Sequence, residues 1–204
     1  MLVETLVLGP LGTNCYLVSD GPGSDVIIID PAARPERIRE ALGERNVAAV
    51  LLTHGHFDHT GALSVFADKP IYIHSLDAPM LSDPHLSVAE MVHDRGVRPP
   101  ATHTVQGGDV LTLAGLEIRV LHTPGHTPGS VTYRIRGSLF TGDTLFQGSY
   151  GRTDFPGGSW PELETSVKRH LWPLPDDTTF IPGHGPAGTI GHEKRTNPFV
   201  GERA

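Results

Sequence analysis

Directly after the apolar stretch Val47 to Leu52, the chain continues as Thr53-His54-Gly55-His56-Phe57-Asp58-His59. The apolar stretch has the length and composition of a buried strand. The imidazoles and the carboxylate that follow it are groups that bind zinc and iron in proteins. Gly55 lets the backbone turn tightly, so four ligand side chains in one loop can point toward one or two ions. The segment therefore predicts a metal site at the end of a strand.

Three more segments present histidine or aspartate directly after an apolar strand. They are Leu121-His122-Thr123-Pro124-Gly125-His126-Thr127, Phe140-Thr141-Gly142-Asp143-Thr144 and Phe180-Ile181-Pro182-Gly183-His184-Gly185. A single histidine or aspartate in such a place is more often a cap or turn residue, but the repetition favours metal binding. Four strand ends would then present ligands at one rim of the fold. The spacing alone leaves open whether His122 or His126 is a ligand.

Strand and helix signals alternate in the first half of the chain. Apolar side chains at helical spacing predict a helix over 35–42, and the stretch from Ala62 to Ala67 predicts another. Short β-branched runs broken by glycine and proline predict strands. These strands cover Leu2 to Leu8, Cys15 to Val18, Val26 to Ile29, Val47 to Leu52 and Ile71 to Ile73.

The second half contains a second group of predicted strands, at Val110 to Leu113, Leu116 to Leu121, Val131 to Ile135, Leu139 to Thr141 and Thr179 to Ile181. Before the last of them, Ser159 and Glu162 fit a capping box that begins a helix. Ser82 to Thr104 and the tail after Pro198 are predicted to be the least ordered segments. Two groups of strands with helices outside them predict an α/β sandwich of two sheets.

Composition and charge narrow the function classes. The chain has 204 residues, which suits a single domain over 1–204. Its net charge of -7 and its scattered basic residues predict no nucleic-acid partner. The one cysteine, Cys15, lies in an apolar stretch and is predicted to be a buried thiol. The N-terminal residues lack a secretory pattern and the apolar runs are short, so we expect a cytoplasmic protein without a membrane partner.

In the order HxHxDH, TPGHT, GDT and PGHG, these segments resemble the metallo-β-lactamase-like superfamily, and the resemblance covers nearly the whole chain. Asn14-Cys15-Tyr16-Leu17-Val18 and Ile28-Ile29-Asp30-Pro31 are similar to the opening strands of that family. The resemblance implies an α/β fold, an αββα sandwich of two mixed β-sheets flanked by helices. It also implies that the metals lie in a groove at one edge of the paired sheets.

The resemblance further implies a ligand set for two divalent metal ions, with zinc expected first and iron or manganese as alternatives. In that family the histidine inside Pro-Gly-His-Thr is the ligand, which selects His126 over His122. Asp143 would bridge the two ions, and Asp58 and Asp143 would be the catalytic carboxylates. The first ion would be held by His54, His56 and His126, and the second by Asp58, His59 and His184.

The other histidines receive less specific interpretations. His122 is predicted to be a neighbour of the site. His192, in Gly191-His192-Glu193, imitates a ligand motif of glyoxalase II but stands in a polar stretch suited to a terminal helix. Five further histidines show no convergent partners and are predicted to lie on the surface, namely His74, His85, His93, His103 and His170.

Within the superfamily, the chain most resembles short bacterial glyoxalase II-like proteins, whose relatives cleave hydroxyacyl-glutathione thioesters. Aspartate at position 143 fits this group, whereas class B β-lactamases carry cysteine there. Because only 20 residues follow His184, we expect the C-terminal helical domain of glyoxalase II proper to be missing. The expected activity is hydrolysis of a small-molecule thioester by a hydroxide shared between two metals.

The segment Gly148-Ser149-Tyr150-Gly151-Arg152-Thr153-Asp154-Phe155 resembles the substrate-lining loop of the same family. Tyr150 and Arg152 are therefore predicted substrate contacts, with Arg152 placed to meet a glutathione carboxylate. Asp154 departs from the family, which has tyrosine at that point. Within this segment, Gly151-Arg152-Thr153-Asp154-Phe155 also resembles persulfide dioxygenases, so a mononuclear-iron enzyme of that kind is the alternative function. A metal-binding scaffold without activity is a third, less favoured interpretation.

Overall fold

Two six-stranded β-sheets pack face to face in the computed structural model, which describes residues 1–94 and 98–202. The first sheet holds six strands in chain order: β1 (Leu2–Leu8), β2 (Thr13–Ser19), β3 (Val26–Ile29), β4 (Val47–Leu51), β5 (Ile71–His74) and β6 (His103–Val105). The second sheet also follows chain order: β7 (Val110–Leu113), β8 (Leu116–His122), β9 (Val131–Ile135), β10 (Ser138–Gly142), β11 (Thr179–Pro182) and β12 (Gly188–Thr189).

Both sheets are mixed. In the first sheet, β1, β2 and β3 are antiparallel neighbours, whereas β3, β4, β5 and β6 are parallel. In the second sheet, β10 and β11 pair in parallel and the other neighbouring strands are antiparallel. Since parallel strands end at the same edge of a sheet, the residues that follow β10 and β11 emerge side by side.

Alternation along the strands divides the apolar residues into three layers. In β3, Val26 and Ile28 pack with Ile38 of the first helix, whereas Ile27 and Ile29 face the second sheet. Full burial of each such aliphatic side chain contributes about 1.5–3 kcal/mol. The third layer lies between the other face of the second sheet and the later helices. The order of layers is helix, sheet, sheet, helix, which confirms the predicted αββα sandwich.

The described ranges contain four α-helices: α1 (Pro35–Leu42), α2 (Phe57–Thr60), α3 (Trp160–Ser166) and α4 (Ile190–Thr196). In α1, proline stands at the helix start, where its missing amide hydrogen is not needed. The same helix turns Ile38 and Leu42 toward the first sheet. α3 continues into a π-helical turn, Val167–Leu171, and this helical segment covers the second sheet.

Several local predictions are wrong or incomplete. α3 begins as predicted, but Ser159 makes no side-chain capping hydrogen bond, so the capping box does not form. The helix predicted from Ala62 to Ala67 is a 3-10 turn, Leu63–Phe66. The segment predicted to be least ordered, 82–104, contains the 3-10 turn Ala89–Val92 and the start of β6. Within the two segments so predicted, residues 95–97 and 203–204 lie outside the described residues.

Cys15 lies in β2 and its side chain is fully buried. Burial raises the pKa of its thiol, and the prediction of a buried thiol is confirmed.

Over 1–94 and 98–202, no helix combines the length and the apolar character that crossing a bilayer requires.

Tyr133 connects the sheets beside the first ligand loop, and its hydroxyl donates to the carbonyl oxygen of Leu52 at 2.9 Å. We expect Tyr133→Phe to lower the free energy of unfolding by about 1–2 kcal/mol, because a buried carbonyl loses this donor. Urea denaturation followed by circular dichroism measures the change. Tyr72→Phe is the matched control, since that half-buried ring stacks on His103 and keeps its contact. An equal loss in both variants would contradict the expectation.

Candidate metal centre

The loops that follow β4, β8, β10 and β11 meet at one rim of the sandwich and carry the seven predicted ligands. Three groups of side chains there have ligand atoms within 4.8 Å of one another. The groups are His54, His56 and His126; His54, His59 and Asp143; and Asp58, His59 and His184. Residues distant in sequence are thus brought together, in the two triplets that the resemblance implies plus a third that joins them.

The loop after β4 supplies four of these side chains from six residues. His56 occupies the N-cap position of α2, and Asp58 and His59 lie within that helix. Gly55 is required by a close approach, because a Cβ at this position would lie 2.6 Å from the Cβ of Met80. A larger residue would therefore push the histidine loop away from the rim.

Asp143 lies between the two outer groups. Its Oδ1 is 3.4 Å from Nε2 of His59, and its Oδ2 is 3.6 Å from Nε2 of His126 and 3.4 Å from Nε2 of His184. His126 and His184 belong to different triplets. One carboxylate therefore contacts both sets of possible ligands, which is the position that a bridging ligand needs.

Hydrogen bonds at Nδ1 orient four of the five histidines, so that Nε2 is left for the centre. Such bonds select the tautomer and fix the ring plane of a metal-binding imidazole. The pairs are His54 with Oγ1 of Thr53 (3.1 Å), His59 with Oδ2 of Asp30 (2.9 Å), His126 with the carbonyl oxygen of Arg152 (2.7 Å) and His184 with the carbonyl oxygen of Leu11 (3.2 Å). His56 differs, because its Nδ1 faces Nε2 of His126 at 2.9 Å.

Several polar atoms that face the centre are buried without a hydrogen-bond partner among the described residues. They include Nε2 of His54, Nε2 of His59 and Oδ1 of Asp143. A buried polar atom left unpaired costs about 1–3 kcal/mol. Imidazole and carboxylate are donors that suit zinc, iron and manganese, so the unpaired atoms fit divalent cations.

Asp30 is a functional residue that the sequence analysis did not assign. Its carboxylate accepts hydrogen bonds from the amide (2.8 Å) and hydroxyl (2.6 Å) of Thr53 and from Nδ1 of His59 (2.9 Å). Asp30 is 1% exposed and connects the end of β3 to the loop after β4. Asp30 directly follows β3, so the signal that identified the ligands, a polar residue at a strand end, could have found it.

Asp77 was also missed, and it ties the loop after β4 to the loop after β8. Its carboxylate accepts hydrogen bonds from the amides of Gly55 (3.1 Å) and Gly129 (2.7 Å) and from the hydroxyl of Thr127 (2.6 Å). Burial raises the pKa of Asp77, against the effect of these donors. Its place in a turn after β5 gave no sequence signal, because the three donors come from distant segments.

The charge state of the centre suits a cation. Burial lowers the pKa of His54 and His126 and lowers that of His56 to about 3, so these imidazoles are neutral at pH 7. Burial acts against ionisation of Asp143, but His59 and His184 outweigh it and hold the pKa of Asp143 well below its usual range. The site thus combines neutral imidazoles with an ionised carboxylate.

The carboxylates of the centre raise the pKa of two histidines, His59 and His184. Burial acts against the charged form of His59 and His184, but nearby Asp58 and Asp143 raise both pKa values, that of His184 to about 9. Conversely, burial would raise the pKa of Asp58, but His59 and His184 lower it to about 2. A metal ion would displace the protons from these imidazoles.

A groove of about 480 Å³ opens onto the centre. Its floor includes His56, Asp58, His126, Asp143 and His184, and its walls are largely apolar. The wall residues are Leu11, Phe57, Val88, Met91, Val92, Phe146, Ser149, Tyr150, Arg152 and Phe155.

Tyr150 and Arg152, the predicted substrate contacts, both line this groove. The guanidinium of Arg152 makes two hydrogen bonds of 2.7 Å to the carboxylate of Asp154 and lies over the ring of Phe155. Its charge is therefore already paired by the residue at which the sequence departs from the family pattern. The ring of Tyr150 packs against Trp160.

His122 lies outside the three groups. Its Nε2 donates to the carbonyl oxygen of Pro128 at 2.9 Å, and its ring stacks on His74 at 4.2 Å between centroids. A depression of about 780 Å³ beside it, between β8 and α3, holds none of the seven ligands. His192 is exposed on α4.

The surface prediction for five histidines is only partly right. His85, His93 and His103 are exposed, whereas His170 is half-buried. The prediction is wrong for His74, which is 3% exposed. His74 is the last residue of the inner strand β5, and it is buried because its ring stacks on the ring of His122. This contact joins residues that are distant in sequence, so the sequence alone gave no sign of it.

Comparisons with known proteins agree with this geometry. A family model described as the metallo-beta-lactamase superfamily matches residues 8–184. The hydroxyacylglutathione hydrolase GloC of Haemophilus influenzae is 37% identical over 216 residues, covering 100% of both chains. The crystal structure of the BLEG-1 B3 metallo-beta-lactamase shares 38% identity and a TM-score of 0.92, over 98% of this chain and 99% of the other. The protein TTHA1623, solved in a di-iron-bound form, shares 40% identity and a TM-score of 0.86, over 97% and 100%.

The convergence of seven ligands predicts a metal content of about two divalent ions per chain. We expect His126→Ala to lose at least one ion, whereas His122→Ala keeps both, because only His126 has a ring nitrogen at the centre. Elemental analysis of the purified proteins by mass spectrometry measures this. Loss of metal in His122→Ala with full content in His126→Ala would show that the other histidine is the ligand.

The backbone at Gly183 leaves room for the carboxylate of Asp143. A Cβ at this position would lie 2.2 Å from Oδ1 of Asp143 and 2.7 Å from Cε1 of His59. We therefore expect Gly183→Ala to displace Asp143 and to weaken metal affinity by about 10-fold or more, as judged by competition with a chelator. Gly21→Ala is the control, because a Cβ there meets nothing within 4 Å. Equal affinity in both variants would refute this role of Gly183.

Proposed function

The chain belongs to the metallo-β-lactamase superfamily, and we propose that it is a binuclear metal-dependent hydrolase that cleaves a small-molecule thioester. The observation that carries the proposal is the position of Asp143, whose carboxylate lies within 3.4–3.6 Å of histidines from both triplets. Such a carboxylate can hold two cations close together. We name zinc as the first candidate metal, with iron or manganese as alternatives.

The residues of the chain divide the work at the proposed centre. His54, His56 and His126 would bind one ion, and Asp58, His59 and His184 the other. Asp30 would hold His59 in the tautomer that leaves Nε2 free, since it accepts the Nδ1 proton. When bound, two divalent ions supply a water of lowered pKa and a positive charge for the oxygen of the scissile carbonyl.

Asp58 has a second restraint that keeps it directed into the groove. The hydroxyl of Thr13 donates to its Oδ2 at 2.8 Å, and Nε2 of His184 lies 3.3 Å from the same oxygen. The carboxylate is 14% exposed, so it borders the space that a substrate would enter. We assign Asp58 and Asp143 as the carboxylates that orient the attacking water.

A thioester suits this groove for a chemical reason. A free thiol has a pKa near 8.5, so a thiolate leaves without a proton donor beside it. The walls beyond the metal-binding side chains are largely apolar and would contact the uncharged parts of a thioester. The similarity to the hydroxyacylglutathione hydrolase GloC points to the same class of substrate.

The alternative is a mononuclear-iron enzyme of the persulfide dioxygenase type. Such an enzyme would hold its iron with a histidine of the first motif, such as His56, together with His126 and Asp143, and would leave Asp58 and His184 without a metal to bind. Asp58 and His184, which meet at 3.3 Å at the edge of the groove, favour the binuclear hydrolase.

The proposed function is tested by comparing water and oxygen as co-substrates of the metal-loaded protein. We expect thiol release from lactoylglutathione to proceed equally under anaerobic and aerobic conditions, and no oxygen uptake with glutathione persulfide. Asp143→Asn should slow thiol release by about 100-fold or more, because it removes the bridging charge. Asp68→Asn, at an exposed aspartate outside the centre, is the matched control. Persulfide-dependent oxygen uptake without thioester cleavage would instead establish the dioxygenase.

A further inference from the structure

Exposed apolar side chains collect around the metal groove. Among the described residues, eight large apolar side chains are exposed, and three of them line this groove: Leu11 (55%), Met91 (65%) and Val92 (53%). Single exposed apolar residues are ordinary, but a contiguous group beside a binding groove indicates a ligand that covers it. The three side chains therefore indicate that the part of the substrate that extends beyond the metals is apolar.

A second cavity continues from the groove on the side of Asp58. Its volume is about 400 Å³, and it shares Leu11, Phe57, Asp58 and Val92 with the groove. Leu8, Ala32, Ala33 and Gly61 form much of its inner wall. Small or aliphatic side chains on this wall leave a space that suits hydrocarbon and offers few polar partners.

The backbone holds the apolar rim in an uncommon conformation. Met91 and Val92 lie in the 3-10 turn Ala89–Val92, and the residues on both sides of it, Val88 and His93, have φ of 54° and 56°. The left-handed region is sterically costly for a β-branched residue such as Val88. Backbone strain of this kind concentrates at binding sites. The 3-10 turn places the side chains of Met91 and Val92 at the mouth of the groove.

The charged side chains that line the two cavities also argue against an anionic group on the part of the substrate that enters the second cavity. Two arginines reach the two cavities, and both are ion-paired: Arg152 with Asp154 at the groove and Arg98 with Asp94 at the second cavity. The Arg98–Asp94 pair is the less exposed of the two, so a carboxylate of the substrate in the second cavity would have to compete with Asp94. An uncharged chain meets no such competition.

We propose that the second cavity binds the alkyl chain of the acyl group, so that the substrates are thioesters of apolar, medium-length carboxylic acids. The inference rests on the proposed function, because Asp58, which would bind one of the metals, lines both the groove and the second cavity. In the reaction the oxygen of water bonds to the acyl carbon and the carbon–sulfur bond breaks, with its electron pair leaving on sulfur. The products are a carboxylate, a thiol and a proton.

The first measurement is the dependence of kcat/KM on chain length. Zinc-loaded protein is assayed with acetyl, butyryl, hexanoyl and octanoyl thioesters of N-acetylcysteamine. We expect kcat/KM to rise by about threefold for each methylene that enters the cavity. Equal values across the series would overturn the inference and leave the thioester hydrolase intact.

Two variants test the cavity itself. Ala33→Leu fills its inner wall, and Val92→Asp places a charge at its mouth. We expect either change to reduce the ratio of octanoyl to acetyl kcat/KM by about 10-fold or more. The matched controls are Ala67→Leu and Val110→Asp, at exposed positions that line neither cavity, and their ratio should equal that of the unchanged protein. A ratio retained in both cavity variants would contradict the proposal.

Calorimetric binding of product carboxylates separates the inference from the catalytic proposal. We expect octanoate to bind the zinc-loaded protein at least about 10-fold more tightly than acetate, and Ala33→Leu to remove the difference. If octanoate binds in this way but no thioester is cleaved, the alkyl site is supported and the hydrolase proposal falls. If octanoate binds no better than acetate, the alkyl site falls whatever the catalytic result.

Discussion

The need to satisfy buried polar atoms governs the rim where the two sheets meet. Nε2 of His54, Nε2 of His59 and Oδ1 of Asp143 are buried and make no hydrogen bond among the described residues. Each such atom opposes folding by about 1–3 kcal/mol. The sandwich can carry this cost because fully buried strands lie beneath the ligand loops. A cation at the centre would satisfy these atoms together and offset the cost.

Two buried aspartates hold the ligand loops in position relative to the sheets. Asp30 fixes His59 to the end of β3, and Asp77 joins the loop that carries His56 to the loop that carries His126. Because a carboxylate can accept several hydrogen bonds, each aspartate restrains more than one segment. Their role is to position other groups, and the groove remains open above them.

The strands were predictable because apolar residues alternate or run continuously wherever a strand contacts the core. The parts that failed are those where the local pattern does not decide. β12 has two residues, too few to show a pattern, and Ser159 has the right spacing for a cap but makes no capping bond. His74 resembled a surface histidine, although stacking on His122 buries it. For His74, a contact with a distant residue overrides the local signal.

By itself the sequence predicted an α/β sandwich of two sheets and histidines and aspartates at four strand ends, because strand periodicity and ligand chemistry are local properties of the chain. The choice of His126 over His122 needed family resemblance, since both histidines follow the same strand. Only the tertiary structure decided that Asp30 and Asp77 orient the site and that an apolar cavity continues from the groove. Those features depend on segments far apart in sequence, and their contacts exist only after the two sheets have packed.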